Sequence, residues 1–147
     1  MLMETRPPGG SGGDDEPWLR EPNRVAWRDP ATGYQCLILR TELGNLNGYV
    51  RVPRGHALHG RSFHQRRVYR DVFVHGGLTF SGCLGGRKMK RGHWFGFDCA
   101  HFRDLVPAMQ AAMDLFGLPG LKSATYRTVS YVRSECRELA HQLARKA

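Results

Sequence analysis

Two histidines and two aspartates in the middle of the chain are of the types that move protons and hold cations. His75 opens the run His-Gly-Gly-Leu-Thr-Phe-Ser-Gly at residues 75–82, and Asp98, His101 and Asp104 follow at three-residue steps. A carboxylate with two imidazoles can bind a divalent metal and leave positions open for water. The same groups can form an acid–base set in which Asp98 orients a histidine. Gly76 and Gly77 let a substrate or the backbone come close to the imidazole, because neither carries a Cβ. A structural role is equally concrete: Asp104 caps a helix, Asp98 accepts backbone N–H groups at a strand end, and the histidines are satisfied structural residues. The D-x-x-H-x-x-D spacing leaves both open, and whether a metal is bound with them. His75, Asp98 and His101 stand as the candidate catalytic residues.

These residues sit where apolar segments end. Residues 34–40 (Tyr-Gln-Cys-Leu-Ile-Leu-Arg) read as a strand buried on both faces. Residues 44–48 form a turn cluster, and Tyr49-Val50-Arg51-Val52 makes a second strand that pairs with the first as a hairpin. A third strand is expected over 68–75, interrupted by Gly76-Gly77 and continued by Leu78-Thr79-Phe80. A fourth, over 93–99, puts Phe95 and Phe97 on one face and Trp94, Gly96 and Asp98 on the other. Phe95 and Phe97 are then core, and Trp94 is the better candidate for stacking on a nucleobase.

A helix is expected from Asp104, with Pro107 in its first turn and Leu105, Met109, Ala112 and Met113 as its apolar side. A second runs over about 124–145, where Val129, Val132, Cys136, Leu139, Ala140 and Leu143 recur at three- and four-residue steps. Residues 1–17 are rich in Gly, Pro and Asp and read as a linker; residues 18–147 make one domain. The expected fold class is α+β: an antiparallel sheet of four or five strands with two C-terminal helices on one face.

With 147 residues, the chain can bury roughly two-thirds of its unfolded surface without covalent staples. Cys36, Cys83, Cys99 and Cys136 form no C-x-x-C pair, which argues against zinc-finger and redox motifs and for reduced thiols. No apolar run approaches the ~20 residues that span a bilayer, so no membrane partner is expected. No basic segment followed by an apolar core marks a secretory signal, and a cytoplasmic location is expected.

The net charge of +9 is concentrated in one segment. Residues 51–91 hold ten basic residues and one acid, Asp71, an excess equal to that of the whole chain. Such concentration suits a polyanionic partner, nucleic acid or nucleotide, or else serves solubility alone. Within it, Arg87, Lys88, Lys90 and Arg91 stand among glycines that can expose N–H groups to a phosphate. They are not a P-loop, because the segment leads into a strand. His56, His59 and His64 lie in the same segment; they could join a metal site, but read as exposed neutral residues.

Several separated blocks carry a resemblance. They are HGGLTFSG at 75–82, WFGFDCAH-x-x-D-x-x-P at 94–107, and Tyr126, Tyr131, Val132, Glu135, Cys136, Leu139, Ala140, Gln142 and Leu143, with Gly48, Val52, Pro53, Gly55 and His56 upstream. Over about residues 48–143 the chain resembles a family of small uncharacterised phage and prophage proteins. The resemblance implies a bacterial cytoplasm and an accessory rather than virion-building role; residues 84–91 are more basic than it leads one to expect. The expected function is a phage accessory protein with a polar His/Asp site at a sheet rim, binding or acting on a phosphate-bearing ligand. The alternative is a non-catalytic binder of nucleic acid, or of a host or phage protein, through residues 51–91.

Overall fold

The structure is a computed structural model that describes residues 16–85, 92–120 and 124–147. Its centre is one antiparallel sheet of five strands, in the order β1 (Arg24–Arg28), β2 (Gln35–Arg40), β3 (Leu46–Val52), β5 (His93–Asp98), β4 (Phe80–Gly82). The helices are α1 (Arg66–Tyr69), α2 (Pro107–Leu115) and α3 (Val129–Ala144), and the class is α+β. No helix among the described residues is long and apolar enough to cross a membrane.

Alternation along the strands decides what each face buries. Cys36, Ile38, Val50, Val52, Phe95 and Phe97 point to one side, where they form a single cluster with Val132, Cys136, Leu139, Ala140 and Leu143 of α3. Leu37, Tyr49 and Trp94 point to the other, packed with Leu84 and the flanking Leu39 and Phe80. Both faces of β2 are therefore covered, as its continuous apolar run requires. Trp94 is 5% exposed, so its ring is core and is not offered to a nucleobase.

The β2–β3 turn is shorter than the glycine and asparagine cluster suggests. It closes at 41–45 with Thr41 N–H donating to Asn45 O, and Asn47 and Gly48 already lie in β3. Gly48 is there for closeness: a Cβ on it would lie 2.5 Å from the Phe97 ring and 2.8 Å from Cys136 Sγ. Its bare backbone lets α3 settle on the sheet.

β1, the segment 68–75 and the start of the last helix also depart from the sequence reading. β1 pairs with β2 from Arg24↔Leu39 to Arg28↔Gln35, though only Trp27 marks it in the sequence. The strand expected at 68–75 is instead the single turn α1 followed by irregular chain. Asp71 has φ 60°, which an extended run does not tolerate, and Phe73 is held by a side chain rather than a strand. Gln142 of α3 accepts from its N–H at 2.6 Å and donates to its C=O at 2.8 Å. The last helix begins at Val129, not near 124, because Thr128 accepts the Tyr131 N–H and caps it. Of the two C-terminal helices, α3 lies across β2 and β3; α2 buries none of its residues and borders a cavity described below.

Leu139 is fully buried between α3 and the sheet. Leu139→Ala should therefore lower the unfolding free energy by about 2–5 kcal/mol in urea titration, while Arg137→Ala, one turn face away and exposed, changes it by less than about 0.5. Equal losses would mean that α3 does not pack this way.

Candidate functional site

The site lies where β5 ends and the chain passes toward α3. His75 occupies a turn closed by Gly77 N–H donating to Val74 O, with Gly76 and Gly77 both at positive φ. Thr79 N–H then donates to Gly96 O, and the chain enters β4 beside β5. β5 delivers Asp98 to its end, where one carboxylate oxygen accepts the Ala100 N–H at 3.1 Å. Residues 101–104 then form a turn closed in both directions. Asp104 N–H donates to His101 O at 2.9 Å, and His101 N–H donates to Asp104 Oδ2 at 3.0 Å. Arg103, inside it, is left-handed at φ 78°, which costs a non-glycine residue roughly 1–2 kcal/mol. Next, Thr125 N–H donates to Arg103 O and Leu105 N–H donates to Thr125 O, a parallel bridge between Asp104 and Thr125 that brings residues 126–131 alongside.

Asp104 is the hub. Its side chain is 1% exposed. It accepts from His75 Nε2 at 2.8 Å (Oδ2) and 3.0 Å (Oδ1), and from Arg127 Nε at 2.8 Å (Oδ1). Burial alone would raise its pKa. The hydrogen bonds from His75, Arg127 and the His101 backbone outweigh burial and hold the carboxyl below its usual range. Asp104 therefore does not cap α2, whose N-cap is Val106 with no side-chain bond.

His75 is bound at both nitrogens. With Nε2–H donating to Asp104, Nδ1 accepts the Tyr131 hydroxyl at 2.8 Å, so the partners assign the tautomer. The Tyr131 pKa is raised by burial and by nearby Glu135, so the phenol keeps the proton it donates. Arg127 sits 5.0 Å over the Tyr131 ring, which puts its charge against both ends of the relay. Carboxylate, imidazole and phenol thus form a continuous chain for proton transfer.

His101 is held differently. Its Nδ1 is buried and has no hydrogen-bond partner. It faces Asp98 Oδ1 at 3.4 Å and Asp104 Oδ2 at 3.6 Å, and its ring lies edge-on to His75 with centroids 5.7 Å apart. One ligand atom each from His75, His101 and Asp104 lie within 4.8 Å of one another. Beside them a cavity of about 400 Å³ opens, lined by His101, Asp104, Val106, Met109 and Met113 among others.

Of the sequence candidates, His75, His101 and Asp98 all come to this rim, with Asp98 contacting the ring of His101 rather than orienting it by a hydrogen bond. Arg87, Lys88, Lys90 and Arg91 lie outside the described residues. His56 is buried and structural, not exposed: Nδ1 accepts the Leu58 N–H and Nε2 donates to Leu143 O. Cys99 adjoins the site, but burial and the charges of Asp104 and Asp98 push its thiol up to about 12, which leaves it protonated and unreactive at neutral pH. Arg127 and Tyr131 are the residues that sequence reasoning missed. The signal was Thr128: a helix capped there begins at Val129, so Arg127 stands ahead of it, from where its side chain reaches Asp104.

No protein-family model matches the chain, and no curated protein or solved structure matches it. The chemistry of the site therefore rests on its geometry.

Gly76 tests that geometry. A Cβ there would overlap the His101 ring, whereas one on Gly77 would meet open space, at similar φ. Gly77→Ala should cost only the left-handed penalty of about 1–2 kcal/mol. Gly76→Ala should cost clearly more and shift the His101 ring resonances in NMR spectra. Equal costs with an unmoved His101 would separate the turn from the site.

Proposed function

We propose that this protein binds and acts on a phosphate-bearing ligand at the rim of its sheet, through acid–base chemistry centred on His75 and His101. The observation that carries the reading is the convergence of His75, His101 and Asp98 around the buried Asp104, beside an open cavity. In the reaction, Asp104 fixes the His75 ring, His75 exchanges the Tyr131 proton, and His101 faces the cavity from the rim. Arg127, fixed on Asp104, supplies the positive charge nearest the relay. A phage or prophage accessory role is the setting implied by the resemblance of the sequence blocks.

A second reading, a non-catalytic nucleic-acid binder, has an observation of its own. Arg28, Arg51 and Arg54 line a groove of about 600 Å³ with Tyr34 and Gln35, and among the described residues no carboxylate lines it. Backbone phosphates could be neutralised there in a salt-dependent way.

One titration separates the two. Histidine ring resonances are followed while inorganic phosphate, nucleoside monophosphates, or a short single-stranded oligonucleotide are added. The rim reading expects the small phosphates to shift His75 and His101, and His101→Ala to abolish the shift without unfolding the chain. If only the oligonucleotide binds, with strong salt sensitivity and loss in an Arg28→Ala, Arg54→Ala double variant, the groove reading replaces it. If nothing binds, both fail.

A further inference from the structure

We propose that the rim is a divalent-cation site, with His75 Nε2, His101 Nδ1 and Asp104 Oδ2 as ligands and Asp98 Oδ1 closing the set. It involves the same residues as the phosphate-ligand reading and rests on its location of the site, holding both histidines as ligands in place of free acid–base groups; its own observation is the unsatisfied nitrogen of His101.

A buried imidazole nitrogen normally has a partner, because an unpaired one forfeits its solvation. His101 Nδ1 has none, yet it faces two carboxylate oxygens at 3.4 and 3.6 Å. Those separations are too long for an N–H···O bond to either. They are the right length for two ligands of one ion. Ligands at about 2.0–2.2 Å from a tetrahedral ion stand roughly 3.3–3.6 Å from each other. A cation among His75, His101 and Asp104, whose ligand atoms lie within 4.8 Å of one another, draws them together, where a proton on Nδ1 gives only two long ion-pair contacts.

The surroundings fit a cation of the zinc or ferrous type. Two imidazoles with one or two carboxylates are a nitrogen–oxygen donor set suited to first-row divalent metals rather than calcium or magnesium. Asp104 divides its oxygens: Oδ1 takes Arg127, and Oδ2 faces both histidines. Arg127 then offsets one of two carboxylate charges and leaves the other for the ion. For His75 to ligate, its Nε2 proton must leave. That proton, the single one on the neutral ring, moves through solvent to Nδ1 and is donated to the Tyr131 oxygen, while the phenol O–H turns away from the ring. A ligating histidine with its second nitrogen on a hydrogen-bond partner is the usual outer-sphere arrangement. The contact from His75 Nε2 to Asp104 Oδ2, now 2.8 Å, opens by about half an ångström to reach ligand spacing. Gly76 makes room for the His101 ring, and Asp98 and His101, each about one-third exposed, leave the solvent side for water or a ligand.

The test uses the full chain, stripped with a chelator, and zinc alone as the probe in isothermal titration. One equivalent should bind. His101→Ala and Asp98→Asn should each weaken binding, the first by at least a hundredfold, and a His59→Ala, His64→Ala double variant should leave it unchanged. Cobalt in place of zinc should give the absorption of a low-coordinate nitrogen–oxygen site. If His101→Ala does not fold, NMR of the unaltered protein decides: zinc should move the ring nitrogens of His75 and His101 and leave His56 and His93 in place. Absence of saturable binding by the folded protein, binding indifferent to His101, or zinc shifts confined to other histidines would overturn the proposal. Zinc binding without any response to phosphate would retain this site and remove the phosphate reading; phosphate binding by zinc-free protein with no zinc uptake would do the reverse.

Discussion

One buried carboxylate organises the molecule's polar chemistry. Asp104 carries a negative charge at a position that water barely reaches, and an isolated charge there would cost several kcal/mol. It is stable only because donors arrive from three places: the turn before β4, its own turn, and the segment leading into α3. No two of these are close in sequence except His101 and Asp104. The requirement to satisfy one side chain therefore fixes the relative positions of chain segments that hydrophobic packing alone would allow to slide.

The segment before α3 shows how tightly this is done. Tyr126, Arg127, Thr128, Val129 and Tyr131 each make a polar contact to another part of the chain or to the helix end. Tyr126 donates to Glu21 and accepts from the buried guanidinium of Arg40, and Val129 N–H donates to Glu21. Arg127 reaches Asp104, Thr128 caps the helix, and Tyr131 reaches His75. The start of α3 is thus held between two ionic networks, one anchoring the N-terminal segment through Arg40 and one building the rim. The apolar stripe of α3, set on the sheet across Gly48, then fixes the helix axis. Packing gives direction and the two networks give register.

What the sequence disclosed follows from this division. Strands with apolar runs, the Phe95 and Phe97 face and the α3 stripe were legible because periodicity records burial directly. His75, Asp98 and His101 were legible as candidates because each stands at a glycine or a strand end. The central part of Asp104 was harder to see, since an aspartate three residues before a Pro-led helical pattern has the same local signature as a helix cap. Arg127 and Tyr131 gave still less: their partners lie 23 and 56 residues away, and no local pattern encodes a contact at that distance. The strand expected at 68–75 failed for the opposite reason. Its β-branched residues do pack on the core, but Asp71 turns the chain and Gln142 replaces the neighbouring strand.

The degree of satisfaction within the rim separates its two halves. On the inner side, Asp104, His75, Arg127 and Tyr131 are saturated with one another, and such a network by itself is sufficient reason for their presence: it joins α3 to the turns beside the sheet. Structural networks of this kind are complete, since each buried polar atom left over subtracts from the stability the others contribute. On the outer side the network stops being complete. His101 places a nitrogen among carboxylates without bonding to any, in a turn that keeps Arg103 left-handed at a cost in backbone energy. Strain and an unsatisfied donor in the same four residues, beside a cavity, are what a fold retains when the position of a group matters more than its contribution to stability. The inner half thus explains why the site is rigid, and the outer half is where the proposed ligand would meet an unpaired nitrogen.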